Sequence, residues 1–177
     1  MTRTQTILSP VDFLSKGGDL ESDLGVAVLR PFDQDVLTFL NSMSSRLMKH
    51  PAVRSYPELA AFAFFCRASS TNRMLDRYRE DIGNLIGRGM VFHIAPANVP
   101  INFAYSLVVA MLAGNSSIVR VSTKSFPQID VICALLDSVL DEVRYSKLRS
   151  FVTIVRYEHN FDVTQYFSER CDVRLIW

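Results

Sequence analysis

A long run without charged side chains is the feature that most constrains this chain. From Met90 to Val119 the sequence contains no Lys, Arg, Asp or Glu. The wider stretch from Gly87 to Lys124 has the pattern of a strand, a polar turn, an apolar helix, a Gly-Asn turn and a second strand. A βαβ unit of this kind belongs in the middle of a parallel sheet that helices cover on both faces. The sequence therefore predicts an α/β fold with a doubly wound, mainly parallel sheet.

A membrane-spanning helix is the alternative for such a run, because a span needs about 20 apolar residues. Pro96 and Pro100 interrupt the run early, and residues 114–117 interrupt it late. The uninterrupted helix is then limited to residues 101–113, which is too short to cross a bilayer. We interpret it as a buried core helix and predict no membrane span.

The composition is typical of a globular domain in the cytoplasm. Hydrophobic residues make up 49% and charged residues 21% of the 177 residues, which is enough for a large core in one domain, or in one and part of another. The net charge is +1 and no basic stripe carries interleaved aromatic residues, so no nucleic-acid partner is predicted. The three cysteines lack metal-ligand spacing, which favours reduced thiols. The N-terminus has no apolar signal core.

Helices and strands outside the central run are predicted from periodicity and from signals at helix ends. The predicted helices are 31–50, 57–78, 127–143 and 160–169, and the predicted strands are 90–95, 117–121, 151–156 and 172–177. Residues 17–19 form a predicted loop and residues 25–30 a possible strand. The last strand ends on Leu-Ile-Trp, which would leave apolar surface bare. We therefore expect an N-terminal piece of a longer chain, with a sheet that is incomplete at its C-terminus.

The turn from Ala95 to Pro100 is the best candidate for a site, because ligands of parallel sheets lie at the carboxyl ends of the strands. Asn98 stands in it, just before the predicted helix. One interpretation is a helix cap worth about 1 kcal/mol, in which the amide oxygen accepts from first-turn N–H groups. The other is donation of the side-chain NH₂ to a developing oxyanion. The residues alone leave both open.

Other polar residues near the strand ends carry weaker signals. Arg120 and Lys124 follow the second strand, either as surface cations or as contacts to a ribose 2′-phosphate. His93, inside an apolar strand, is interpreted as a hydrogen-bonded core residue rather than a catalytic one. The sequence has no G-x-G-x-x-G after a strand, no Walker loop, no nucleophile elbow and no His/Cys metal set, so no metal site is predicted.

Two segments resemble the aldehyde dehydrogenase superfamily. They are Phe92 to Pro100, FHIAPANVP, and Ala113 to Ser122, AGNSSIVRVS. The superfamily has there a strand, a Pro-aromatic-Asn-x-Pro turn, a helix, and an Ala-Gly-Asn strand that ends in Lys-Pro-Ser. Together with the ending Arg174 to Trp177, RLIW, they look most like the bacterial long-chain acyl-CoA reductases, which supply fatty aldehyde in bioluminescence and have relatives in other pathways. The similarity covers roughly residues 56–177 and is strongest at 87–124.

The resemblance implies a Rossmann-like fold of the aldehyde dehydrogenase type. Residues 1–85 would form an N-terminal helical segment that packs on the sheet domain, and residues 86–177 the first part of an NAD(P)-binding domain. The implied activity is the NADPH-dependent reduction of a fatty acyl thioester, carried by CoA or by a protein, to the aldehyde. The full-length protein is expected to form an oligomer or a multienzyme complex.

The resemblance also implies roles for particular residues. Asn98 would help hold the thioester oxygen, and Thr123 takes the place of a Glu that favours NAD in many members. Without that carboxylate, and with Arg120 and Lys124 nearby, a 2′-phosphate is tolerated, so NADPH is the expected cofactor. Ala97 departs from the common aromatic residue of the turn. The implied cofactor-binding residues are Ile94, Ala95, Pro96, Ala97, Asn98, Arg120, Ser122, Thr123 and Lys124.

The mechanism that the resemblance implies uses a cysteine acyl-enzyme. Its nucleophile lies in a second domain, and none of Cys66, Cys133 and Cys171 matches it. The chain alone is therefore predicted not to turn over acyl-CoA. Two alternatives remain open: a non-catalytic module that binds a nucleotide or a partner protein, and a pseudo-enzyme subunit completed by another chain.

Overall fold

Five strands form one sheet in the computed structural model, which describes residues 3–17 and 28–177. They are β1 (Asp12–Ser15), β2 (Met90–Ile94), β3 (Ser116–Arg120), β4 (Val152–Arg156) and β5 (Val173–Ile176). Their order across the sheet is β1-β4-β3-β2-β5; β2 to β5 are parallel, and β1 runs antiparallel to β4. The parallel strands thus follow the order third, second, first, fourth of a Rossmann sheet, which confirms the predicted fold class.

Helices cover both faces of the sheet. They are α1 (Arg3–Leu8), α2 (Gln34–Leu47), α3 (Pro57–Cys66), α4 (Ala68–Tyr78), α5 (Asn102–Leu112), α6 (Pro127–Leu140) and α7 (Phe161–Arg170), with 3₁₀ turns at Pro51–Arg54 and Val143–Phe151. The larger core lies between the sheet and α2, α3, α5 and α6. The smaller core lies on the other face, under α7, and α1 packs on α7. None of the helices in the described ranges is long and apolar enough to cross a bilayer.

The central run folds as its pattern predicts. Four of the five residues of β2 are buried, as are four of five in β3, because helices cover both faces. On α5 the buried residues surround almost the whole helix, and Phe103, Leu107 and Met111 mark one continuous inner row. The helix is therefore part of the core, as predicted.

The Gly-Asn turn before β3 is a structural device. Asn115 accepts hydrogen bonds at Oδ1 from the backbone N–H groups of Arg88, at 2.6 Å, and Gly89, at 3.2 Å. Gly114 has a φ of +82°, and a Cβ there would lie 2.2 Å from the carbonyl oxygen of Leu29. Only glycine suits this position, because the backbone is left-handed and a neighbouring chain passes directly beside it. The turn thereby aligns the starts of β2 and β3.

Several boundaries differ from the predicted ones. The region 57–78 consists of two helices because Arg67 between them is extended, with φ −67° and ψ 151°. The helix predicted at 127–143 ends at Leu140. Of the possible strand 25–30, residues 28–30 are not a strand and residues 25–27 lie outside the described residues, as do residues 18–19 of the predicted loop.

The N-terminal segment, which the sequence left without a role, completes one edge of the sheet. β1 pairs with β4 from Asp12, opposite Arg156, to Ser15, opposite Ile154. Residues 12–15 therefore belong to the same sheet as the central run. The division into units at residue 85 stays a prediction.

Candidate functional site

The candidate site lies where the strand order reverses. β3 and β5 flank β2 on opposite sides, and the crevice outside the carboxyl ends of β2 and β5 is where open α/β sheets bind ligands. Hydrogen bonds hold the strand ends together there: Ala95 N–H donates to the Arg120 carbonyl at 3.0 Å, and Trp177 N–H donates to the Ile94 carbonyl at 3.2 Å. The turn after β2 stands at this crevice, as predicted.

That turn is packed tightly on one side. Four of its residues lie against α5, α6 and the end of β3: Ala95, Pro96, Val99 and Pro100. The gap between the turn and these elements has no space for a water molecule. Two prolines and this contact leave the turn little freedom. Ala97 and Asn98, at its tip, are exposed. The tip is therefore presented to solvent on a rigid base.

The helix-cap interpretation of Asn98 is wrong. The helix α5 begins at Asn102, its N-cap is Ile101, and no side chain of the described residues makes a capping hydrogen bond there. Asn98 lies in a turn further upstream, and within the described residues its amide has no hydrogen-bond partner. Both of its polar atoms thus remain open to a ligand.

Arg120, at the end of β3, is held by Tyr157 in the segment after β4. Its guanidinium carbon lies 4.6 Å from the centroid of the Tyr157 ring, and Nη2 donates to the Tyr157 carbonyl at 3.1 Å. The Nε atom of Arg120 is buried and has no partner among the described residues. A buried donor without a partner is unfavourable. The contacts with Tyr157 thus fix the Arg120 guanidinium in place before any ligand binds.

The residues after β3 differ in exposure. Ser122 is buried: its Oγ accepts from Lys124 N–H at 3.1 Å, and its carbonyl accepts from Arg156 Nε at 3.2 Å. Thr123 and Lys124 are exposed. The structure thus gives the Ser122 hydroxyl a turn-forming contact and leaves the next two side chains free to reach a ligand.

A cavity of about 430 Å³ opens on the α7 face of the same strand ends. Two guanidinium groups, an imidazole and an exposed aromatic ring line it, and none of the described residues in the lining carries a carboxylate. The lining residues are Ile94, Arg120, His159, Phe161, Thr164, Gln165, Ser168 and Arg174. Such a lining suits a ligand that combines a flat apolar part with anionic groups.

The predicted site residues fall into three groups. Ile94 and Arg120 share the cavity. Ala95, Pro96 and Ser122 pack together on the opposite face. The third group is exposed and belongs to neither lining: Ala97, Asn98, Thr123 and Lys124. Their roles as cofactor or catalytic residues stay predictions.

Sequence reasoning missed the other walls of the cavity. His159 and Phe161 come from the connection into α7, and Arg174 comes from β5. These segments are far apart in sequence and meet only because α7 crosses the sheet. One signal was available for Arg174, which is a charge inside a predicted apolar strand beside the switch point.

His93 is a hydrogen-bonded core residue, as its position in an apolar strand predicted. It is fully buried, with Nδ1 2.6 Å from Ser106 Oγ and Nε2 3.1 Å from Ser117 Oγ. Ser106 Oγ also accepts from the indole N–H of Trp177 at 3.1 Å. Each ring nitrogen of His93 thus has a serine hydroxyl as its hydrogen-bond partner, and in the neutral ring one nitrogen donates while the other accepts. Burial lowers the pKa of His93 to about 4, so the ring is neutral.

None of the three thiols is activated. Cys66 and Cys133 are buried, and burial raises the pKa of both, that of Cys133 to about 12. Cys171 is partly buried, its pKa is raised mainly by burial, and its Sγ donates to the Ser168 carbonyl at 3.3 Å. A nucleophilic cysteine needs a lowered pKa, which these surroundings oppose.

A family model described as acyl-CoA reductase (LuxC) matches residues 28–177. The chain belongs to the acyl-CoA reductase (LuxC) family. The match contains β2 to β5 and the whole candidate site, and it confirms the resemblance found in the sequence. A search of curated proteins found no significant match.

Membership in a reductase family implies a nicotinamide cofactor, because hydride transfer to a carbonyl needs such a donor. The residues present fit one. The cavity is lined by Arg120 and Arg174, has no carboxylate among the described residues of its lining, and adjoins the switch point where dinucleotides bind. The reductase family and the charge of the cavity thus agree.

Proposed function

We propose that this chain forms the cofactor-binding wall of an NADPH-dependent reductase that converts a fatty acyl thioester, of CoA or of a protein, to the aldehyde through a cysteine acyl-enzyme. The observation that carries the proposal is the cavity beside Arg120. It lies at the carboxyl ends of β2 and β3, and its lining within residues 3–17 and 28–177 contains no carboxylate. The cofactor, when bound, would supply the hydride. In the proposal residues 86–177 belong to the cofactor domain.

In this proposal, residues at the end of β3 and in the turn after it make the site suitable for a cofactor that carries a 2′-phosphate. Arg120 provides a guanidinium that is held against the ring and the carbonyl of Tyr157. Thr123 is neutral, so it does not repel a 2′-phosphate as a carboxylate would. Lys124, exposed at the same turn and outside the cavity lining, contributes only a long-range positive charge. Ile94, which shares the cavity with Arg120, supplies apolar contact.

Asn98 is the catalytic residue of the proposal. Its amide is exposed at the tip of a rigid turn and has no partner within the described residues. Its NH₂ group would donate to the thioester oxygen as negative charge develops there. Loss of one such donor costs about 10²–10³-fold in rate. Rigidity supports this role, because a preorganised donor needs no reorientation during the reaction.

The nucleophile is a separate requirement. Burial raises the pKa of all three thiols here, so the proposal assigns the acyl-enzyme to none of them. The resemblance places that cysteine in a second domain. The chain by itself therefore binds the cofactor without forming aldehyde.

Binding is tested by calorimetric titration of the purified chain with NADPH and with NADH. We expect NADPH to bind more tightly, and Arg120→Met to weaken it by about 10-fold, since a hydrogen bond to a charged group contributes about 1.5–3 kcal/mol. The matched control is Arg73→Met, on α4 outside the cavity lining. Equal affinity for both cofactors, or none for either, would contradict the proposed cofactor.

Activity is tested by incubating the chain with a long-chain acyl-CoA and NADPH and measuring aldehyde. We expect none, because no activated thiol is present. Formation of aldehyde would show that one of the three cysteines is the nucleophile after all. Cysteine-to-serine variants would then identify it.

A further inference from the structure

Three cationic side chains lie near the proposed cofactor site, and they differ in the contacts that they make within the protein. Arg120 already contacts the ring and the carbonyl of Tyr157. Lys124 is exposed on the turn after β3 and does not line the cavity. Arg174 lines the cavity, is exposed, and has neither an ion pair nor a side-chain hydrogen bond within residues 3–17 and 28–177. Arg174 is therefore the cation in the cavity with its full donor set available.

Strand register places Arg174 on the cavity side of the sheet. β5 pairs with β2 so that Arg174 lies opposite Phe92, and Ile176 lies opposite Ile94. Phe92 packs against Phe167 of α7, with ring centroids 5.5 Å apart, so this is the face that α7 covers. Because alternate strand residues share a face, Arg174 and Ile94 both face the cavity.

The positive charges of Arg120 and Arg174 both influence Tyr157. Burial raises the pKa of Tyr157, and the positive charges of both Arg120 and Arg174 oppose that rise. Both guanidinium groups are thus close enough to Tyr157 for their fields to overlap there. Two such groups around one space can bind a phosphate dianion from two sides, with paired N–H···O contacts.

We propose that Arg174 is the residue that binds the 2′-phosphate and sets the preference for NADPH, with Arg120 as its partner and without a direct contribution from Lys124. This rests on the proposed function, since it requires the cofactor to occupy the cavity. Thr123 permits the phosphate by its neutrality, whereas Arg174 binds it. The ring of Phe161, which is 72% exposed at the cavity, offers a stacking surface for the adenine base.

The experiment compares Arg174→Gln with Lys124→Gln by calorimetric titration against NADPH and NADH. We expect Arg174→Gln to weaken NADPH binding by about 10-fold or more and NADH binding by less than about 2-fold, because one charge-assisted contact is lost only where the phosphate is present. Lys124→Gln changes both by less than about 3-fold. Arg174→Lys keeps part of the preference, since the point charge remains but the paired contact does not.

A second probe isolates the phosphate. Adenosine 2′,5′-bisphosphate and 5′-AMP compete with NADPH, and Arg174→Gln should reduce the competition by the bisphosphate alone. The matched control is Arg170→Gln, because Arg170 stacks on Tyr166 outside the cavity lining. Unchanged NADH affinity and circular dichroism show that each variant is folded.

The outcomes separate the two proposals. If Lys124→Gln abolishes the preference and Arg174→Gln does not, the inference about Arg174 is overturned and the proposed function stands. If the unmodified chain binds NADH as well as NADPH, or neither, the proposed function fails and the inference fails with it. A loss of NADH and NADPH binding together in Arg174→Gln also overturns the inference, because it indicates a general role in the site.

Discussion

At the carboxyl ends of β2 and β3, the surroundings on the two faces of the sheet differ. On the face covered by α5 and α6, the turn at Ala95–Pro100 is packed so closely that no water fits behind it. On the face covered by α7, the same strand ends border a cavity of about 430 Å³, whose described lining residues include two arginines and no carboxylate. We call these the closed face and the open face.

The difference assigns structural support to the closed face and ligand binding to the open face. The closed face holds the larger core, and its neutral His93 is satisfied by two serines. The open face has a smaller core and leaves donors of Arg120 and Arg174 without protein partners among the described residues. Polar groups that are fully satisfied stabilise a fold, whereas unsatisfied ones at a cavity favour a ligand. A rigid closed face can therefore position the turn while the open face binds.

The largest effect is expected from an aromatic residue on the closed face. Phe103→Ala removes a side chain that is 1% exposed, so the free energy of unfolding should fall by about 3–5 kcal/mol through lost burial and a cavity. Phe161→Ala, on the open face, removes a ring that is 72% exposed and should change it by less than about 0.5 kcal/mol. Urea denaturation measures both. Equal losses would remove the distinction between the faces.

The next largest effect is a pH dependence from His93. Its pKa is about 4 in the folded chain and near 6.5 when unfolded, so the unfolded state takes up a proton first as the pH falls. Stability should therefore decrease between pH 6.5 and 4, by about 3 kcal/mol in total, and level off below. Denaturation at several pH values measures this. His93→Gln should flatten that part of the profile, and an unchanged profile in the variant would contradict the assignment.

Arg120 gives an intermediate effect, because on the open face it is partly satisfied by protein. Arg120→Met loses the contact with the Tyr157 ring and the hydrogen bond to its carbonyl, and should lower the free energy of unfolding by about 1–2 kcal/mol. The matched control is Arg144→Met, whose guanidinium also lies 4.6 Å from a tyrosine ring but is exposed. It should cost less than about 1 kcal/mol in the same denaturation assay. A larger loss in the control would show that Arg120 is not held as described.

The smallest effect on stability is expected at Asn98. The side chain is exposed and caps no helix, so Asn98→Ala should change the free energy of unfolding by less than about 0.5 kcal/mol. Asn160→Ala is the contrasting variant, because Asn160 does cap α7 by accepting from Val163 N–H at 3.1 Å. It should cost about 1 kcal/mol. If Asn98→Ala cost as much as Asn160→Ala in thermal or urea denaturation, the cap interpretation would return.

Much of the fold and part of the site could be predicted because the signals are local. The strands β2 and β3 and the helix α5 between them follow from one charge-free run. The start of α2 is also a local signal, because Asp33 is its N-cap and accepts from Asp35 N–H at 2.8 Å. The cap prediction for Asn98 failed because the residues from 97 to 101 form further turns before the helix begins. Helix propensity does not define how many turn residues precede a helix.

Local patterns were enough to predict the α/β class, the parallel central unit, the buried His93 and the resemblance to the reductase family, since each depends on residues close together in the chain. The open face of the sheet, and the meeting of Arg174 of β5 with Arg120 of β3 at one cavity, became visible only in the folded chain. The switch in strand order brings β5 beside β2, and α7 covers one face only in part. Such contacts between distant segments depend on strand order and helix placement, which no local pattern encodes.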